Sequence, residues 1–291
     1  MRVPDSHLEA VHRDGFGILP GFLSDDEVAA ARAGLFEVFP SPDDYFADPE
    51  RYAHLVAHSF AGLRRGPLDS WDVDRIAFHP DLVDAAERFC GTADLELYKV
   101  ELWAKYSGSV DYDQTLHRDF GNHSLVVPRR DGRWPQFTNF ILLSDVTEAD
   151  GPTKVVSRAI GDTRPLIPRH CEPGEYADRE VPVVGPAGTL FSYTSDVLHR
   201  ASAMTGERRA RFALLADYAA RGNPWMGKMS WPGRALHPGF TELMERASVR
   251  ERALFGFPPP GSPYWNDQTL HDVGLRYPNM DMAPYADGVG V

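Results

Sequence analysis

His117-Arg118-Asp119 puts an imidazole and a carboxylate two positions apart in the middle of the chain. On an extended segment such residues point to the same side, so the two can grip one metal ion together. Two histidines and one carboxylate on one face of an octahedron leave three positions open, the arrangement suited to iron(II) and dioxygen. His199, just after the run GTLFSY, is the best candidate for the second histidine. Arg211 then opens the β-patterned run RFALLADY. A guanidinium there suits the distal carboxylate of 2-oxoglutarate, because its planar fork makes two charge-assisted hydrogen bonds. Each feature has a plainer reading: a surface His-x-Asp triplet, a hydrogen-bonded structural histidine, a surface salt bridge. The metal reading gains its weight from the basic residue that follows the histidine at strand spacing.

The elements that must position these groups are partly visible. GFGILPGFL at 15–23 reads as a short apolar strand broken by Gly and Pro. Ser24 with Glu27 three residues later forms a capping box, which predicts a helix over 24–39. Residues 41–67 are polar and turn-rich with little periodicity, and a second helix is expected at 80–90, ended by Gly91. LELYKVELWAKY alternates, with Tyr98, Val100, Leu102, Ala104 and Tyr106 on one face and Lys99, Glu101, Trp103 and Lys105 on the other. Alone, that second face reads as solvated. Further strands are expected over 137–143, 154–156, 189–193 and 211–218. Short strands separated by turns predict an antiparallel sandwich or barrel rather than βαβ units. The proline-rich, aromatic end reads as an ordered tail over the core, with Trp225 and Trp231 placed to cover the barrel mouth. No repeat or linker stands out. One domain is therefore expected over 1–291, with a helical part at about 1–93, a barrel core at about 94–220 and a tail at about 221–291.

Composition narrows the partners. Lys and Arg total 30 against 42 for Asp and Glu, a net charge of −12. That balance argues against nucleic acid, which needs clustered positive charge. No run approaches the roughly 20 apolar residues of a membrane span, and the charged N-terminus lacks a secretory segment. Cys90 and Cys171 are the only cysteines, too few for a disulfide framework. A cytoplasmic protein acting on a small molecule is expected. Lysine occurs only at 99, 105, 154 and 228 while arginine is plentiful, a pattern of GC-rich bacterial coding.

Taken together, DGFGILPGFLSDDEV, LWAKYSGS before the HRD triplet, FILLSDVTEADGPTKVV and GTLFSYTSDVLHRASAMTGERRARFALLADY resemble the phytanoyl-CoA dioxygenase family of iron(II)/2-oxoglutarate oxygenases, over roughly 13–220. The resemblance implies a mainly β fold with flanking helices, the double-stranded β-helix (a jelly-roll, cupin-like barrel). It implies iron(II) on His117, Asp119 and His199, with 2-oxoglutarate and dioxygen as cosubstrates. Arg211 matches the family's cosubstrate arginine, with Arg208 and Arg209 as rivals because the spacing from His199 is one residue longer than expected. Ser202 falls where a small hydroxyl residue lies near the cosubstrate carboxylate, and Phe140 where an aromatic packs on the cosubstrate. The face carrying Lys99, Glu101 and Trp103 then turns inward, toward cosubstrate and substrate. Asn122 and His123 fall where relatives line the substrate. His54, His58, His79, His170, His237 and His271 have no partner at ligand spacing and read as structural.

Two departures bear on this. SRAIGDT at 157–163 replaces a Pro-Gly-Ser-His-like run that borders the active site, which bears on substrate class and not on iron. Arg118 stands where a residue such as Gln is common; it does not face the metal, and little consequence is expected. The expected activity is hydroxylation of an unactivated C–H bond in a secondary metabolite. Asp119 fills the position a chloride ion would need, which disfavours halogenation. The competing reading is a catalytically silent barrel that binds a small molecule or a partner protein; it predicts loss of a ligand or of the arginine, and neither is lost.

Overall fold

The computed structural model describes residues 1–56, 62–109, 113–124, 126–226, 231 and 238–286. Among the described residues nine strands are found: β1 (Phe16–Leu19), β2 (Leu63–Arg65), β3 (Leu95–Tyr106), β4 (Gln136–Leu142), β5 (Thr153–Val156), β6 (Val181–Pro182), β7 (Leu190–Tyr193), β8 (Leu198–Ala201) and β9 (Ala210–Ala220). They form a six-stranded sheet in the order β1-β7-β4-β9-β3-β2 and a three-stranded sheet in the order β6-β5-β8, all paired antiparallel. Two such sheets with helices outside them make the double-stranded β-helix.

The alternation of β3 decides what lies outside and inside. Val100, Leu102, Ala104 and Tyr106 join Phe212, Leu214, Ala216 and Tyr218 of β9 in the main apolar core. Leu82, Ala86 and Phe89 of the helix Pro80–Cys90 and Leu35 of the helix Asp25–Val38 belong to the same cluster. Each fully buried leucine, valine or phenylalanine among them contributes about 1.5–3 kcal/mol. The other face of β3 looks into the barrel. A register shift between Leu97 and Lys99 interrupts the alternation, and an inserted residue of this kind bends a strand. Tyr98 consequently lines the cavity beside Lys99 instead of joining the outer core as the alternation predicted.

Both expected helices form where their caps predict. Ser24 and Glu27 make the reciprocal capping box, and Gly91 ends the second helix at φ 69°. The segment read as featureless holds short helices and the edge strand β2, whose three residues are too few to show a period. The tail is helical where it is described, with Pro238–Arg246, Val249–Leu254 and Asp267–Arg276 as its main pieces. Phe240, Leu243, Met244 and Leu254 bury into the main core. Trp231 does so too, donating its Nε1–H to Leu97 O at 3.0 Å, so it braces the outside of β3 and does not cover the mouth. Trp225 packs with Phe120 and, next to them, Tyr98. Among the described residues no helix is long and apolar enough to cross a membrane.

Candidate metal and cosubstrate site

Backbone pairing places the two histidines. His117 N–H donates to His199 O at 2.9 Å and His199 N–H to His117 O at 3.0 Å, so the His-Arg-Asp segment lies against β8 with the imidazole centroids 4.8 Å apart. Asp119 extends from the same segment, its Oδ1 3.5 Å from His117 Nε2 and its Oδ2 3.3 Å from His199 Nε2. The three side chains offer ligand atoms within 4.8 Å of one another.

Tautomers follow from what the other ring nitrogens touch. His117 Nδ1 lies 3.0 Å from Thr115 O and His199 Nδ1 3.1 Å from Val197 O. A carbonyl only accepts, so each Nδ1 carries the proton and each neutral ring aims an Nε2 lone pair inward. Two lone pairs and a carboxylate converging in a buried space repel unless a cation lies between them. This donor set fits iron(II), which takes two imidazoles and one carboxylate, and backbone carbonyls behind metal histidines fix their orientation. Burial lowers the His199 pKa, yet the Asp119 carboxylate, with the Val197 carbonyl, more than offsets that and raises it. For Asp119, burial is outweighed by His199 and His117, and its carboxyl sits well below the usual range.

These residues line a cavity of about 720 Å³, within the range of small-molecule sites. Arg211 lines it as well, and an Nη1–H of Arg211 donates to Gly151 O. Its neighbours lead elsewhere. Arg209 binds Asp150, and Arg208, at φ 49°, lies over the Phe46 ring. Phe140 and Trp103 line the cavity with ring centroids 6.5 Å apart. Lys99 and Glu101 line it too, both buried, with Nζ 3.4 Å from Oε2. Ser202 is buried but is not a lining residue; its hydroxyl donates to Pro152 O at 2.6 Å and its carbonyl accepts from Lys105 Nζ at 2.7 Å. Asn122 and His123 lie on the short helix Phe120–His123, and their side chains, like all of His58 and His237, fall outside what is described.

Several cavity residues escaped the sequence reading. His170, read as structural, pairs with the His117 backbone and stacks its ring 5.6 Å from that of His117. Arg65 of β2 lies with Nε 3.5 Å from Glu101 Oε1. Tyr193, at the end of β7, donates its hydroxyl to Asp119 Oδ2 at 3.3 Å. The only signal for Tyr193 was its place on an apolar strand just before His199, which names a buried residue but not a contact.

Arg118 faces away from the metal, as expected, but it is not inconsequential. It is fully buried and donates to three carbonyls: Asp196 at 2.8 Å, Pro165 at 2.7 Å and Gly161 at 2.7 Å. The SRAIGDT loop is thereby tied to the residue between two candidate ligands. A triplet motif reveals what its outer residues do and is silent about the middle one.

The phytanoyl-CoA dioxygenase (PhyH) family profile matches residues 11–212. No curated protein matches the sequence. Among solved structures, the non-haem α-ketoglutarate-dependent carbocyclase SnoK from nogalamycin biosynthesis is 21% identical, with 81% of this chain and 92% of that one covered at a TM-score of 0.55. The epimerase SnoN, solved with Fe3+, α-ketoglutarate and nogalamycin RO, is 22% identical over 74% of this chain and 82% of its own, at 0.52. HygX from Streptomyces hygroscopicus, with nickel and 2-oxoglutarate bound, is 16% identical over 75% and 87%, at 0.51. At such identities the likeness is one of fold.

Proposed function

The chain belongs to the phytanoyl-CoA dioxygenase family, and from that premise we propose that this iron(II)/2-oxoglutarate-dependent oxygenase hydroxylates an unactivated C–H bond of a small secondary metabolite. The observation that carries the reading is the convergence of two imidazole lone pairs and the Asp119 carboxylate in the cavity that Arg211 also lines. His117, Asp119 and His199 hold the iron. When bound, iron with 2-oxoglutarate and dioxygen supplies the oxidising chemistry, with succinate and carbon dioxide as coproducts.

The chain's own groups do the binding and positioning. Arg211 takes the distal carboxylate of 2-oxoglutarate, and Phe140 and Trp103 pack against its carbon skeleton and exclude water. Lys99 and Glu101 form a paired, charged wall toward the substrate. The substrate class is taken from SnoK and SnoN, both from nogalamycin biosynthesis, and from a cavity roomy enough for a second molecule beside 2-oxoglutarate.

A metabolite screen by mass spectrometry, with iron(II), 2-oxoglutarate and dioxygen, tests this. The expected outcome is substrate-dependent succinate release with a product heavier by one oxygen atom. A product of unchanged mass, or lighter by two hydrogens, overturns hydroxylation while keeping the oxygenase class. No iron-dependent turnover of 2-oxoglutarate with any substrate favours the silent barrel.

A further inference from the structure

We infer that Tyr193 is a positioning residue for the metal-binding carboxylate, its hydroxyl holding Oδ2 of Asp119 so that Oδ1 alone is offered to the metal. The inference rests on the metal reading above and goes beyond it, because it concerns how the carboxylate binds rather than whether it does.

Three observations carry it. Tyr193 is 1% exposed, and its backbone is fixed between two strands, with Thr138 of β4 and Phe16 of β1 as its Cα partners. Its ring stacks 5.0 Å from Phe191 and 6.1 Å from Phe140, and lies 4.9 Å from the His199 imidazole. Its ring is held between these aromatic neighbours, with its hydroxyl end toward the cavity that Asp119 also lines. Its hydroxyl donates to Asp119 Oδ2 at 3.3 Å, and a buried tyrosine O–H needs such a partner. Oδ1 receives no hydroxyl among the described residues.

The consequence is chemical. A carboxylate with two equivalent oxygens can chelate a metal and occupy two positions. With a hydrogen bond on one oxygen, binding through the other alone is favoured. Three one-atom protein ligands leave three octahedral positions, the number that a chelating 2-oxoacid and dioxygen require together. Tyr193 thus protects the vacancy on which the reaction depends.

Anaerobic titration with cobalt(II) of wild type and Tyr193→Phe tests this, since phenylalanine fills the same space without the donor. The variant is expected to bind cobalt(II) roughly 10- to 100-fold more weakly, the usual loss for a ligand's supporting hydrogen bond. Its cobalt absorption spectrum should change, and its cobalt-loaded form should bind 2-oxoglutarate more weakly. Equal cobalt affinity with superimposable spectra overturns the inference. A second measurement needs no variant: infrared difference spectra of wild type with and without zinc(II), using carboxyl-labelled aspartate. A wide separation of the two carboxylate stretches is expected for one-oxygen binding, and a narrow one, marking a chelate, overturns the proposal. Failure of wild type to bind cobalt(II) would instead bring down the metal site itself, so the two failures are distinguishable.

Discussion

Arg209 grips Asp150 through both carboxylate oxygens, with Nε 2.6 Å from Oδ1 and Nη2 2.8 Å from Oδ2. Burial would raise the Asp150 pKa, but Arg209 and Thr147 more than offset it and hold it at about 2. One of the three candidate arginines is therefore committed to the turn that precedes β5, and Arg211 is the one that lines the cavity. Arg211→Ala should raise the 2-oxoglutarate requirement steeply, by about 2–5 kcal/mol for a buried charged contact, with iron affinity nearly unchanged. Arg209→Ala should instead lower the melting temperature and leave that requirement near wild type. Saturation kinetics on the two variants decide between them, and the reverse pattern would place the cosubstrate two residues earlier.

Lys99, Glu101 and Arg65 form one charged cluster, with Glu101 ion-paired on both sides. Removing one member of a buried pair strands the other. Glu101→Leu should therefore cost both turnover and stability, whereas a merely solvated carboxylate would tolerate it within about 0.5 kcal/mol. The double change Lys99→Met with Glu101→Leu should recover stability but not turnover. Recovery of both would mean the pair has no part in binding.

Two of the three carbonyls held by Arg118, Gly161 and Pro165, lie in the loop at 157–165, and the third, Asp196, lies between β7 and β8, so Arg118 anchors that loop to the barrel. Arg118→Met keeps much of the volume and leaves those carbonyls without their donor. Hydrogen bonds from a charged donor are worth about 1.5–3 kcal/mol each and are not additive, so a loss of at least about 3 kcal/mol in urea unfolding is expected. A change under about 0.5 kcal/mol would return the residue to the inert role its sequence position suggested.

Asp217 carries a pH signature. Burial lifts its carboxyl from 3.8 to about 7, with Lys99, Gln136 and Thr138 pulling the other way. The unfolded chain ionises this group above about pH 4, whereas the folded chain keeps it protonated until about pH 7. The group's contribution is thus present at low pH and is lost as pH rises between those values. Asp217→Asn should raise the melting temperature more at pH 8 than at pH 4. An equal effect at both would show that the carboxyl is not held neutral.

How much of this was legible depends on the range of the signal. Helix ends at Ser24 and Gly91 are set by local capping and the two faces of β3 by alternation, so both could be read; which face of β3 turns inward came only from the family resemblance. The bulge that turns Tyr98 inward leaves no mark, because one inserted residue looks like one more step of the strand. Ser202 was placed beside the cosubstrate by position alone, and its hydroxyl turns out to be spent on Pro152. Tyr193 and Arg118 act through contacts with residues far off in sequence, which neither spacing nor composition encodes. The helical tail was hidden by its prolines, although Ser248 with Glu251 is a capping box of the kind recognised at Ser24.

In the proposed function His117, Asp119 and His199 together hold one iron(II). Anaerobic titration of the purified chain with iron(II), repeated on His117→Ala, Asp119→Ala and His199→Ala, tests it most directly. One iron per chain is expected in wild type and a severe loss of affinity in each variant, because each removes one of only three proposed protein ligands. Full-strength iron binding by Asp119→Ala would contradict it.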